Sequence, residues 1–85
     1  FLMRQGRPRE ALGHYDAAVA TAVQRIGAVH TDTATFQLLR GACRARTDDA
    51  DGAERDLLAA HAVLLAALGD THAYVQKAKQ DLVAL

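Results

Sequence analysis

Four histidines are the side chains in this sequence that most readily suggest a metal site or acid–base catalysis. His30 and His72 each follow a break that contains glycine, and a 42-residue interval separates them, so one repeated structural position explains both. His14 and His61 lie in alanine-rich stretches without a His or Cys four residues later, the spacing expected of a zinc-binding helix. We therefore predict capping or packing roles for His30 and His72, and no metal site.

An acidic run, Asp48-Asp49-Ala50-Asp51-Gly52, has the composition of a calcium-binding loop. Aligning Gly52 with the glycine of the sixth position puts Leu58 at the twelfth position, where a bidentate glutamate is required. The run therefore lacks the ligands of a calcium-binding loop. We interpret these acids as a solvated turn whose negative charge stabilises the start of the next helix.

The single cysteine lies close in sequence to three arginines, Arg40, Arg44 and Arg46. Positive charge can lower the pKa of a thiol and make it reactive. We favour a buried small hydrophobic role for Cys43, because the repeat described below aligns it with Phe1 and Leu85. The arginines either bind an acidic partner or, as we favour, are solvated or pair with acids of the following turn.

Other catalytic groupings are absent from the sequence. The chain has no serine, no glycine-rich phosphate loop and only two glutamates, Glu10 and Glu54, without a paired acid at fixed spacing. The sequence predicts neither an enzyme nor a cofactor.

Composition excludes several classes of partner. Ten Lys and Arg balance ten Asp and Glu in 85 residues, and no basic block is present, which argues against nucleic acid and anionic membranes. Residues are 51% hydrophobic and 24% charged, as in folded chains. The longest uncharged apolar run, from residue 57 to 68, is too short to span a bilayer. A single cysteine excludes an internal disulfide framework and fits a cytoplasmic location.

Alanine and leucine dominate the segments between breaks that contain Gly, Asp or Thr, which predicts an all-α fold. The predicted elements are a helix end at Phe1–Gln5 and helices at Arg9–Ile26, Thr33–Arg46, Ala53–Leu68 and His72–Leu85. Helix ends are thus expected near residues 5, 26, 46, 68 and 85. Asp51 and Asp70 are candidate caps for the helices that follow them.

The chain contains an internal repeat with a 42-residue period. Ile26-Gly27-Ala28-Val29-His30 recurs as Leu68-Gly69-Asp70-Thr71-His72, and the same offset relates Ala11 to Ala53. Residues 1–85 cover about two periods. Because arrays of helical hairpins usually need three or more repeats to be stable, we expect this to be a fragment with further repeats on one or both sides.

These residues resemble the tetratricopeptide repeat (TPR) in its 42-residue kinesin-light-chain variety. Small residues of that family's pattern match Ala11, Ala18, Gly41, Ala53 and Ala60, and its large apolar position matches Tyr15 and Leu57. Two departures are that Thr31 and Ala73 replace the proline that commonly follows the junction His, and that Arg40 replaces a usual Leu. The resemblance implies antiparallel hairpins stacked as an α-solenoid whose first helices line a concave, peptide-binding groove.

Helical spacing divides the last helix into two faces. Tyr74, Val75, Ala78 and Leu82 share one face, which we expect to be core. The resemblance places the other face on the groove, together with the equivalent face of the helix one repeat earlier. The residues that it predicts to contact a partner are Thr35, Leu38, Leu39, Ala42, Lys77, Gln80, Asp81 and Ala84. Leu38 and Ala42 occupy places where a carboxylate clamp needs polar groups, so such a clamp is disfavoured. Whether the leucines bind a partner or pack against the neighbouring helix stays open.

The resulting expectation is a module that binds a protein or peptide. One alternative is a non-catalytic repeat region of a larger bacterial signalling protein, since these repeats resemble those carried behind the catalytic domain of bacterial serine/threonine protein kinases. Another is self-association through exposed repeat ends.

Overall fold

The structure is a computed structural model that describes residues 8–85. In this range it contains four α-helices, namely α1 (Pro8–Ile26), α2 (Thr31–Arg46), α3 (Ala50–Leu68) and α4 (Ala73–Val83). No strand occurs between residues 8 and 85, so the predicted all-α fold is confirmed. The helix end predicted at Phe1–Gln5 lies outside the described residues.

The helix starts differ from the prediction because other residues form the caps. Asp49 caps α3 by accepting the Gly52 backbone N–H at 3.0 Å, and His72 caps α4. The prediction that Asp51 or Asp70 would cap these helices is therefore wrong. The Asp70 carboxylate instead accepts a 2.6 Å hydrogen bond from the Lys79 ammonium, which lowers the pKa of Asp70.

The loops that follow α1 and α3 both begin with a glycine in the same conformation. Gly27 and Gly69 follow the last residues of α1 and α3 with φ angles of 90° and 88°, values that side-chain-bearing residues rarely adopt. In each junction the glycine N–H bonds the carbonyl four residues earlier at 3.1 Å. The starts of α2 and α4 and the ends of α1 and α3 are related by the 42-residue offset. The predicted period is thus confirmed for these helix boundaries.

Each helix packs mainly on its neighbours in the chain. The pairs in contact are α1 with α2, α2 with α3 and α3 with α4, and α2 also touches α4. The main apolar cluster comes from the last three helices and consists of Ala34, Leu38, Leu57, Ala60, Leu64, Val75 and Ala78. Tyr74, predicted for the core, is 46% exposed, and its ring lies instead beside the ring of His72.

Helices α2 and α3 approach closely at Gly41. A Cβ atom at Gly41 would lie 2.9 Å from Leu57 Cγ, closer than carbon atoms pack. Leu57 itself is fully buried, so it has no room to move away. The absence of a side chain at this position therefore allows the two helices to pack directly. Among the described residues, no helix combines the length and apolar character that crossing a membrane requires.

Candidate functional site

A cleft between α2 and α4 brings together half of the predicted groove residues. Its volume is about 320 Å³. The lining residues are Ala42, Ala45, Arg46, Lys77, Asp81, Ala84 and Leu85. Because Ala42, Lys77, Asp81 and Ala84 were predicted as contacts and converge here, we call this feature the α2–α4 cleft and treat it as the candidate site.

The other four predicted residues lie outside the lining of the α2–α4 cleft. Leu38 is 4% exposed and belongs to the apolar core, so it packs against the neighbouring helices and is not available to a partner. The Thr35 hydroxyl donates a 2.8 Å hydrogen bond to the Thr31 carbonyl within α2. Leu39 and Gln80 are exposed. A partner that extends beyond the cleft would meet Leu39 and Gln80 but not Leu38.

The two carboxylate oxygens of Asp81 in the α2–α4 cleft differ in their interactions. Lys77 Nζ and Asp81 Oδ1 form an ion pair at 2.6 Å, with Lys77 exposed and Asp81 half-buried. The second carboxylate oxygen, Asp81 Oδ2, is buried and accepts no hydrogen bond among the described residues. A buried acceptor without a donor is costly.

The α2–α4 cleft therefore has small apolar walls and a few charged groups. Ala42 and Ala84 leave space for an incoming side chain, while Arg46 and Lys77 add positive charge beside the Asp81 carboxylate. This arrangement suits orientation of a polypeptide segment better than proton transfer or nucleophilic attack.

An ion-pair cluster around one buried carboxylate occupies the opposite side of α2. Asp56 of α3 is 4% exposed and accepts hydrogen bonds from Arg40 Nε at 2.9 Å and Arg40 Nη2 at 2.7 Å. Arg44 Nη1 donates to the same carboxylate at 3.0 Å. Asp16 of α1 lies 3.4 Å from Arg40 and 3.7 Å from Arg44, so the cluster ties three helices together.

This cluster was missed from the sequence. We expected Arg40, Arg44 and Arg46 to be solvated or to pair with acids of the following turn. The exposure of Arg46 and the 3.7 Å contact of Arg44 with Asp49 fit that expectation, whereas the pairing of Arg40 with Asp56 does not. The hydrogen bonds with Asp56 raise the pKa of Arg40 further. The available signal was the position of Asp56 between Ala53 and Ala60, on the face of the helix that α2 covers.

The capping prediction for the two junction histidines is confirmed. His30 Nδ1 accepts the Asp32 N–H at 3.0 Å, and His72 Nδ1 accepts the Tyr74 N–H at 3.1 Å. Both histidines therefore start the helices that line the α2–α4 cleft. His14 is exposed, whereas His61 is half-buried with an Nε2 atom that makes no hydrogen bond among the described residues. Residues 8–85 contain no group of three or more potential metal ligands.

Cys43 is fully buried, which confirms its predicted role as a small core residue. Desolvation raises the pKa of the Cys43 thiol, and this effect outweighs the opposing charge of Arg46. A thiol with a raised pKa is a weak nucleophile.

Comparison with known proteins returns no relative. No protein-family model matches the chain, and no curated protein or solved structure matches it either. The resemblance to tetratricopeptide repeats therefore stays a prediction based on the residues quoted above.

Proposed function

We propose that this chain is a protein-interaction module of the helical-repeat type, with the α2–α4 cleft as its binding surface for a polypeptide segment. The observation that carries the proposal is the placement of α2 and α4. These helices occupy equivalent positions in the 42-residue repeat, touch each other and leave a cleft of about 320 Å³ between them.

The contacts between helices support a curved stack. Within the described residues the equivalent helices α2 and α4 touch, whereas the other equivalent pair, α1 and α3, makes no backbone contact. Equivalent elements that approach on one side and separate on the other bend an array toward the side of contact. On this reasoning α2 and α4 line the concave side of a solenoid of the kind that the resemblance implies.

The chemistry of the α2–α4 cleft favours a peptide. Alanine walls accommodate an apolar side chain, and the exposed Lys77 ammonium supplies a hydrogen-bond donor for a peptide carbonyl oxygen. Arg46 and Lys77 outnumber the single carboxylate of Asp81 in the lining of the α2–α4 cleft, so a strongly basic peptide is not the expected ligand.

A charge-swap experiment tests the binding surface. Peptides selected from a random library against the full chain are measured with Lys77→Asp/Asp81→Lys, which reverses the ion pair in the cleft. The matched control is Lys79→Asp/Asp70→Lys, which reverses a second 2.6 Å pair that does not line the cleft. Each double variant retains two opposite charges that can pair, so both should fold.

We expect the swap in the cleft to weaken peptide binding by at least about tenfold, measured by fluorescence anisotropy, and the control swap to change it less than about twofold. Equal losses of peptide affinity from the two swaps, or no loss of affinity from the swap at Lys77 and Asp81, would rule out the α2–α4 cleft as the binding surface. Circular dichroism of both variants confirms that the helices are intact.

A further inference from the structure

A second concave surface lies between α1 and α2, on the side away from α3. We call it the α1–α2 trough; its volume is about 490 Å³. Small side chains of α1, among them Ala17, Ala18 and Thr21, form its floor together with Phe36 of α2. Ile26 is 44% exposed at its edge. The α1–α2 trough is separate from the α2–α4 cleft and shares no lining residue with it.

The same molecule shows what covers such a surface. The equivalents of Ala18, Ala22 and Phe36 in the next copy of the repeat are Ala60, Leu64 and Ala78, and all three are fully buried. They belong to the apolar core cluster together with Ala34 and Leu38 of α2. Between α3 and α4, the surface equivalent to the α1–α2 trough is therefore filled by α2, which presents apolar residues at positions i and i+4.

We infer that the α1–α2 trough is the docking site for one further helix, which packs there as α2 packs on α3 and α4. This helix comes from another copy of the repeat on the N-terminal side of α1. It presents a small residue and a leucine at positions i and i+4, as α2 does with Ala34 and Leu38.

A second copy of the described residues is a poorer occupant of the trough. If α4 of another molecule docked there, Gln76 and Gln80 would replace the apolar ridge residues Ala34 and Leu38. Val83 would replace Gly41, where helix contact leaves no space for a Cβ atom. If the α1–α2 troughs of two molecules faced each other, neither would present a ridge of apolar side chains to fill the other. The polar character of α4 at these positions is typical of the closing end of a repeat array, so the array extends at the α1 end.

An extended chain tests the inference directly. Residues 31–49 are joined to Pro8 in place of residues 1–7, which adds a copy of α2 and its turn at the natural 42-residue spacing. We expect the folding equilibrium constant from urea unfolding to rise by at least about tenfold over the original chain, with a matching gain in helical circular dichroism. Ala34→Asp and Leu38→Asp, made only in the added segment, should abolish the gain.

A substitution in the trough supplies the second readout. Thr21 is exposed and lines the trough, so Thr21→Glu should leave the original chain unchanged but cancel the gain of the extended chain. Gln24→Glu, at an exposed position outside the lining, is the matched control and should preserve the gain. An added segment that gives no gain in stability, or a gain that survives Thr21→Glu, would overturn the inference. Neither outcome bears on peptide binding by the α2–α4 cleft.

Discussion

The Asp56 carboxylate links α3 to α2 through hydrogen bonds with Arg40 and Arg44. It is nearly inaccessible to water and receives three hydrogen bonds from two arginines. Asp56→Asn keeps the shape of the side chain but removes the counter-charge of Arg40 and Arg44. Because a buried ion pair that loses one partner leaves an uncompensated charge, we expect the free energy of unfolding to fall by about 3 kcal/mol. Urea unfolding followed by circular dichroism measures the change.

Asp16→Asn is the matched control for this experiment. Asp16 contacts the same two arginines, but its side chain is 49% exposed, so its removal should cost less than about 1 kcal/mol. Similar losses for the two variants would show that burial of the Asp56 carboxylate is not what makes the cluster important.

Cys43 gives the molecule a specific dependence on pH. Burial raises the pKa of its thiol above the unfolded value, so the folded state holds the proton more tightly. The stability from this group is complete below the unfolded thiol pKa of about 8.5 and is lost as the pH rises through the folded pKa. We expect the urea midpoint to fall more between pH 7.5 and 9.5 in the original chain than in Cys43→Ala. Parallel pH profiles for the two proteins would contradict this assignment.

At the scale of elements, two helical glycines of different surroundings give opposite predictions. Gly41→Ala places a Cβ atom 2.9 Å from Leu57 Cγ, and this overpacking should outweigh the better helix propensity of alanine. We expect a loss of about 1 to 2 kcal/mol in the free energy of unfolding. Gly13 is an exposed residue of α1, and a Cβ atom there would have no neighbour within 4 Å outside its own stretch of helix backbone. Gly13→Ala should therefore raise the free energy of unfolding by about 0.5 to 1 kcal/mol. Urea titrations compare the two, and a gain for Gly41→Ala would mean that α2 and α3 do not approach as described.

Helix ends were easier to predict than helix starts, for a physical reason. Glycine at positive φ marks the end of a helix almost without competition, and Gly27 and Gly69 were located in this way. Several side chains can cap a helix start, and a run with three aspartates offered more than one choice, so Asp49 was missed in favour of Asp51. The histidine caps were identified only because the repeat presented the same residue twice.

At the scale of the whole molecule, periodicity predicted more than individual residues did. The breaks between alanine-rich segments gave the number of helices in the described range, and the 42-residue offset gave their equivalence. The resemblance to tetratricopeptide repeats led to four of the residues that line the α2–α4 cleft. It did not predict Asp56, because His14 occupies the equivalent position and the repeat carries no information where its copies differ. Leu38 lay on the boundary between the core and the groove, and only the packing of α2 on α3 and α4 placed it in the core.

Packing between neighbours also implies that stability is unevenly distributed along the chain. Helix α2 contacts three other helices and α3 contacts two, whereas α1 contacts only α2 within the described residues and contributes nothing to the main apolar cluster. In stacked repeats a terminal element opens at a lower free energy than the elements beside it. We therefore expect native-state hydrogen exchange to be slowest in the central turns of α2 and α3 and faster in α1. Uniform protection of α1, α2 and α3 would show that they unfold as one unit. In the extended chain, by contrast, a helix docked in the α1–α2 trough should raise the protection of α1 toward that of α3.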